Sequence, residues 1–245
     1  MPQRVFGSGT MWGTTTATNA TPIKLGDLQN CGLDFTASTK SLIGQNQFPV
    51  AVARGAISIK GKAQFARFNA PVINELFFGA SSAAGQIVAI EDESGTIPTT
   101  PFQVTVANSA TWTTDLGVID TTSGVPLTRV ASAPATGQYS VAAGVYTFAA
   151  ADTGKGVKIS YVYTVPTTGQ TVTIANQAMG VANTFKTSIS LQYNSQKTLW
   201  TLNACVSSKF SFQTALEDFT KPAFDFEAFA DASNNIGTVS FAEAR

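Results

Sequence analysis

Apolar and polar residues alternate along much of this chain, and in Gly55–Gly79 the period changes from two to about 3.6. In the first half of that stretch Ile57, Ile59, Ala63 and Phe65 fall on one face of an extended segment. Ser58, Lys60, Lys62 and Gln64 fall on the other. Asn69 then stands at a helix N-cap position, Pro71 suits the first turn, and Gly79 suits the left-handed position after the last turn. Val72, Ile73, Leu76 and Phe77 form one apolar stripe between them. The pattern predicts a half-buried strand feeding a short α-helix over 70–78.

The same reading divides the rest of the chain. Residues 1–22 mix Gly and Thr with isolated Phe6 and Trp12, show neither period, and read as an N-terminal arm with two aromatic anchor points. A first strand is expected over Ile23–Phe35, then a long loop over Ser38–Val50 with Phe48-Pro49 as its apolar tip. A short strand at 87–90 precedes EDESGTIPTTP, whose acids, glycine and prolines mark a boundary. From Phe102 to Tyr163 short strands recur with Gly and Pro punctuation, the pattern of a small β-sandwich or barrel. Residues 95–168 therefore read as an all-β insert, closed by a VPTTG turn at 165–169. It interrupts a parent domain made of 23–94 and 169–245. In the second parent segment Phe185, Thr187, Ile189, Leu191 and Tyr193 oppose Lys186, Ser188, Ser190 and Gln192. A turn at 194–196 leads back into LWTLNACVSSKFSFQ, and AFDFEAF and IGTVSF are expected to pair as a second hairpin around Asp231–Asn235.

Composition narrows the function. The 245 residues are 44% apolar but only 12% Asp, Glu, Lys and Arg, with a net charge of zero. A surface so poor in charge is weakly protected against self-association, which favours a subunit covered by copies of itself. A Thr- and Ser-rich secreted β protein is the competing explanation. Net neutrality argues against a sequence-independent nucleic-acid binder. Residues 1–70 carry seven basic and two acidic groups, and residues 201–245 three basic and six acidic. A basic front on one subunit meeting an acidic back on the next is one consequence; ordinary solvated scatter is the other. No stretch approaches the roughly 18 apolar residues of a membrane span, and the first residues lack the order of a secretory leader. Cys31 and Cys205 read as separate buried thiols.

Chemistry is sparse. Without histidine the chain lacks the commonest general base and most zinc sites. Asp225 and Glu227 share one face of a strand, the spacing of a paired-carboxylate site, but also that of any strand with Phe224 and Phe226 turned inward. Glu91, Asp92 and Glu93 are consecutive and cannot all converge on one cation without a specialised loop. The GSG and GKG stretches lack a P-loop context and read as turns. No enzyme activity, cofactor or metal site is expected.

The stretches MPQRVFGSGTMWGTTT, KSLIGQNQFPVAVARGAISIKGKAQFARFNAPVINELFFG, NQAMG, TLNACVSSKFSF and KPAFDFEAFADASNNIGTVS together resemble the tail tube (major tail) proteins of long-tailed, siphovirus-type bacteriophages. The resemblance spans most of the chain; Cys31, Gly32 and the VANTF after NQAMG depart from it locally. It implies a mainly β fold with one short helix, a β-sandwich or partial barrel carrying an inserted immunoglobulin-like domain on the outside of a tube. It implies a virion protein, made in the host cytoplasm, that forms stacked homo-hexameric rings. Its partners would be other copies, tail tip or baseplate and terminator proteins, and duplex DNA passing through the lumen without specific binding. Phe6, Trp12 and Phe48 become candidates for ring stacking, and Ser188, Ser190 and Gln192 for the lumen wall. Lys60, Lys62 and Lys186 must then be matched by acids or face away from DNA. The alternative reading is a carbohydrate- or cell-surface-binding β module, with Trp112 of the insert as its sugar-stacking candidate.

Overall fold

A computed structural model describes residues 6–67, 70, 72–79 and 82–242. Its strands are β1 (Thr10–Thr15), β2 (Ile23–Leu25), β3 (Leu28–Ile43), β4 (Pro49–Phe65), β5 (Ser82–Thr96), β6 (Gln103–Thr105), β7 (Trp112–Asp120) and β8 (Thr128–Arg129), then β9 (Gln138–Ala142), β10 (Val145–Phe148), β11 (Gly156–Val172), β12 (Thr184–Tyr193), β13 (Gln196–Ser211), β14 (Ala223–Phe229) and β15 (Gly237–Ser240). A π-helix, Val72–Phe78, lies between β4 and β5. The chain is thus mainly β with one helix, and it forms two compact units, Met1–Ser82 with Val172–Arg245, and Ala83–Thr171.

The first unit is an open sheet in the order β2-β1-β12-β13-β14-β4-β3, with β15 also on β13. Its alternation buries Ile59, Ala63 and Phe65 of β4, Phe185 and Ile189 of β12, Leu202 and Cys205 of β13, and Phe224 and Phe226 of β14. The Phe185 ring lies 5.7 Å from Phe224 and 6.0 Å from Phe226; each such fully buried ring contributes roughly 1.5–3 kcal/mol. No barrel closes, but the sheet curls: Phe35 of edge strand β3 approaches Trp200 of β13 at 5.6 Å. The helix docks where Gly13 leaves room, since a Cβ there would stand 2.5 Å from Leu76 Cδ1.

Several sequence expectations are corrected. The arm is no free tail, because Thr10–Thr15 is a strand hydrogen-bonded between β2 and β12, with Met11 buried. The first strand is broken at Gly26-Asp27, where Asp27 adopts φ +48° and pairs with Arg67 at 2.5 Å. The loop over Ser38–Val50 is instead mostly strand: β3 and β4 pair as far as Ile43 and Pro49, leaving only residues 44–48 as a tip. The amides and Gly44 punctuate that tip, and Pro49 opens β4 at the last pair of the ladder.

The helix is π rather than α. Its wider turn buries Val72, Asn74 and Leu76 in place of the expected stripe, leaving Ile73 and Phe77 half-buried and Asn74 Oδ1 without a hydrogen-bond partner among the described residues. Gly79 does take the expected left-handed conformation, φ +61°; Asn69 and Pro71 lie outside the described residues. β14 and β15 do not pair with each other as a hairpin. Both run antiparallel to β13, β14 against Ala204–Ser211 and β15 against Leu199–Leu202, so the Asp231–Asn235 turn interrupts one strand line rather than reversing it.

The second unit packs sheet β6-β10-β9-β8 and sheet β5-β11-β7 around Ile97, Val118, Tyr139, Tyr146, Phe148, Val157, Ile159 and Tyr161. It begins at Ala83, earlier than the acidic stretch expected to open it, because β5 runs unbroken from Ser82 to Thr96 and joins the β11 sheet. The VPTTG stretch is not a turn but part of β11. Entry and exit of the unit lie side by side, with Thr171 Oγ1 donating to Gly85 O at 2.8 Å.

Candidate assembly surface

β14 accompanies β4 only from Gln64 to Ile59. Beyond that point β3 and β4 continue as a two-stranded ribbon, residues 36–58, with no third strand among the described residues and no member of the core cluster. An isolated two-stranded ribbon is marginal in water, and this one is unusually apolar. Leu42, Ile43, Val50, Val52 and Ile57 are exposed, and Phe48 at the tip is 81% exposed. Its only charges are Lys40 and Arg54. Its Thr and Val content suits a strand pair, but no partner among the described residues of the subunit covers its bare Leu, Ile and Phe.

The other proposed anchors have different settings. Phe6 is 78% exposed, its ring 6.2 Å from that of Tyr193. Trp12 is fixed in β1, half-buried, opposite Lys24 and Ser188.

The polar face of the sheet carries Ser188, Ser190 and Gln192 on β12. Ser188 Oγ lies 3.5 Å from Thr201 Oγ1. On the same outward alternation the charges of neighbouring strands fall into rows. Lys209, Asp225 and Lys62 stand in line across β13, β14 and β4, and Glu227, Lys60 and Asp34 across β14, β4 and β3. Each lysine of β4 therefore has an acid in register, although none of these pairs closes to an ion-pair distance among the described residues. Lys186 faces Thr14, and no acid stands in register with it among the described residues.

Asp225 and Glu227 thus belong to a charge-alternating face; Asp225 also lines a 210 Å³ hollow with Asn30, Lys62 and Gln64, and Glu227 is not among the residues that line it. Among the described residues that line the 470 Å³ cleft of this unit, which include Thr15, Thr16, Asn183 and Thr184, Glu75 is the one carboxylate. In the second unit the acids at 91–93 diverge. Asp92 meets Lys158 at 3.1 Å, while Glu93 accepts from Tyr161 Oη at 2.6 Å and from the Ala107 N–H at 2.9 Å. No group of His, Cys, Asp and Glu among the described residues is arranged to hold a metal.

The sequence reading missed a polar network in the core of the second unit. Asp115, its side chain 3% exposed, accepts from Tyr139 Oη at 2.7 Å and Tyr146 Oη at 3.0 Å, with Arg129 Nη1 at 3.7 Å. Burial and the Asp115 carboxylate push both phenols above the usual tyrosine range. The Trp112 indole N–H donates to Tyr146 Oη at 3.4 Å and its half-buried ring packs against the core, so the sugar-stacking candidate of the alternative reading is not a bare aromatic face. Only the odd polar residue in an apolar alternation, Asp115 within TWTTDLGVID, signalled this network.

No protein-family model and no curated protein sequence matches the chain.

Proposed function

We propose that this chain is a structural subunit that assembles with copies of itself into stacked hexameric rings, forming the tail tube of a long-tailed bacteriophage. The tube would be a passive conduit for duplex DNA, joined at its ends to tail tip and terminator proteins. The observation that carries self-assembly is the β3–β4 ribbon: a long extension of bare apolar residues with no partner inside its own subunit among the described residues. Such a surface on a soluble β protein marks a protein interface. The low charge content and the sequence resemblance agree with it, and the resemblance alone supplies the ring number and the virion setting. Trp112, half-buried against the insert's core, offers the alternative glycan-binding reading only part of its ring.

Electron microscopy and native mass measurement of the purified full chain test the proposal. Rings or tubes, with hexamers or multiples of six, are expected. A monomer or closed dimer at all concentrations overturns it.

A further inference from the structure

The ribbon leaves one end of the sheet, and a second set of bare apolar residues leaves the opposite end. The register fixes this placement. Ala223, the first residue of β14, stands beside Ser211, the last of β13, and beside Gln64 near the end of β4. Going along the sheet from there, the pairs run through Ala228↔Ile59 and Leu199↔Ser240 to the β12–β13 turn, and the ribbon continues from Ile59 in that same direction. The 212–222 connection between β13 and β14 is therefore at the end remote from the ribbon tip. In it Leu216 and Phe219 are 101% and 88% exposed, two large apolar side chains bare on one short connection.

The charges of the two ends are complementary. The ribbon carries Lys40 and Arg54 and no acid, while the 212–222 loop carries Glu217, Asp218 and Lys221. Lys221 is already held by Asp218, at 3.0 and 3.1 Å from its two carboxylate oxygens, so the loop's outward balance is the negative charge of Glu217. A basic, apolar projection at one end and an acidic, apolar loop at the other can meet in an antiparallel two-fold dimer, which closes, or in a head-to-tail contact, and the self-assembly reading selects the second. A head-to-tail contact propagates instead of closing, and it alone gives species larger than a dimer.

We infer that the ribbon of one copy seats on the 212–222 loop of the next, with Phe48, Leu42 and Ile43 against Leu216 and Phe219, and Lys40 and Arg54 facing Glu217 and Asp218. The inference rests on the self-assembly reading and names its acceptor. At about 3.3 Å per residue the eight ribbon residues from Thr36 to Ile43 run roughly 25 Å past the last β14–β4 pair, a length of unaccompanied strand open to a neighbouring subunit.

The test uses the full chain with reversed charges. Lys40→Glu with Arg54→Glu should raise the critical concentration for assembly at least tenfold, and adding Glu217→Lys and Asp218→Lys to that same chain should restore it. Loss without restoration, or no loss, overturns the acceptor assignment while leaving self-assembly standing. Failure of the unaltered chain to assemble overturns both. Where a charge variant does not fold, an exposed-site pair decides: a chain carrying both Phe48→Cys and Leu216→Cys should give an oxidative cross-link ladder extending beyond the dimer, absent from the unaltered chain and from either single variant. Assembled particles of the double variant that give no ladder overturn the inference.

Discussion

Phe48→Ala separates the energy of the fold from that of assembly. Within its own subunit the ring is 81% exposed, so removing it takes little from the folded state. A phenylalanine presents at least about 150 Å² for burial; the exposed share of that area, at about 25 cal/mol/Å², is worth ~3 kcal/mol when a partner covers it. Ordering of the tip residues on docking reduces the net effect to roughly 2–3 kcal/mol, an approximately 30- to 150-fold weaker contact. The critical concentration for assembly, read by sedimentation over a dilution series, should rise by that factor. The thermal unfolding of the dilute subunit should be unchanged. An unchanged critical concentration would show that the tip is not an anchor; a lowered unfolding temperature would show that Phe48 packs within its own subunit and that the exposure argument is wrong.

Three further outcomes are expected. Gly61→Ala places a Cβ 2.0–2.6 Å from the buried Phe226 ring and should cost ~1–3 kcal/mol in denaturant unfolding; an unshifted midpoint would contradict the packing. Replacing residues 83–171 by a short Gly-Ser linker should leave the first unit folded, because Gly85 and Thr171 are hydrogen-bonded neighbours; a collapsed circular dichroism spectrum would show that the units depend on each other. Burial, with acceptance by Asp115 or Glu93, raises the pKa of Tyr139, Tyr146 and Tyr161. Their stabilising contribution is intact below the ordinary value of about 10 and is lost as pH rises through the folded values. Phenolate absorbance should lag in the native protein, and the second unit should lose thermal stability above that pH; complete ionisation near pH 10 with no stability change would refute it.

What the sequence revealed, and what it hid, follows from how local each determinant is. Strands with one buried face were legible because alternation records burial directly: Val157, Ile159 and Tyr161 are buried as read, and so are Phe185, Thr187 and Ile189. The ribbon was invisible as structure for the same reason. With neither face buried in the subunit, residues 38–50 carry no alternation to read, and their Gly, amides and Pro suggested a loop. Its tip, Phe48, was nevertheless identified, since a large aromatic beside Pro49 stands out in any conformation. β1 escaped because Gly13 interrupts its pattern, and that glycine exists to admit Leu76, a tertiary contact. The π-helix was read as α because the apolar spacing is α-like; burial of Asn74 is a tertiary outcome that propensity opposes. The partner of β15 could not be read either, because a tight Asp231–Asn235 turn is compatible with reversal or with continuation along β13.

The polar face of the sheet gives the sliding-conduit reading its sharpest consequence. Duplex DNA moves through a tube only if the wall does not hold its phosphates, and a wall lysine is harmless when an acid shares its position. Lys60 stands between Glu227 and Asp34, and Lys62 beside Asp225. Replacing Asp225 by Asn and Glu227 by Gln keeps the volumes and removes two negative charges per subunit. Lost cross-strand attraction costs only ~0.2–1 kcal/mol per pair, so the double variant should fold and assemble. If this face lines the lumen, its lysines become free to displace counterions, and every phosphate they neutralise adds about 0.9 to the salt dependence of DNA retention. Tubes of the double variant should then retain duplex fragments at low salt and release them as salt rises, while unaltered tubes retain none. Assembled double-variant tubes that hold no more DNA than the unaltered ones would place this face away from the genome. Tight, salt-sensitive retention by the unaltered tubes would instead remove the argument that register-matched acids keep the wall slippery.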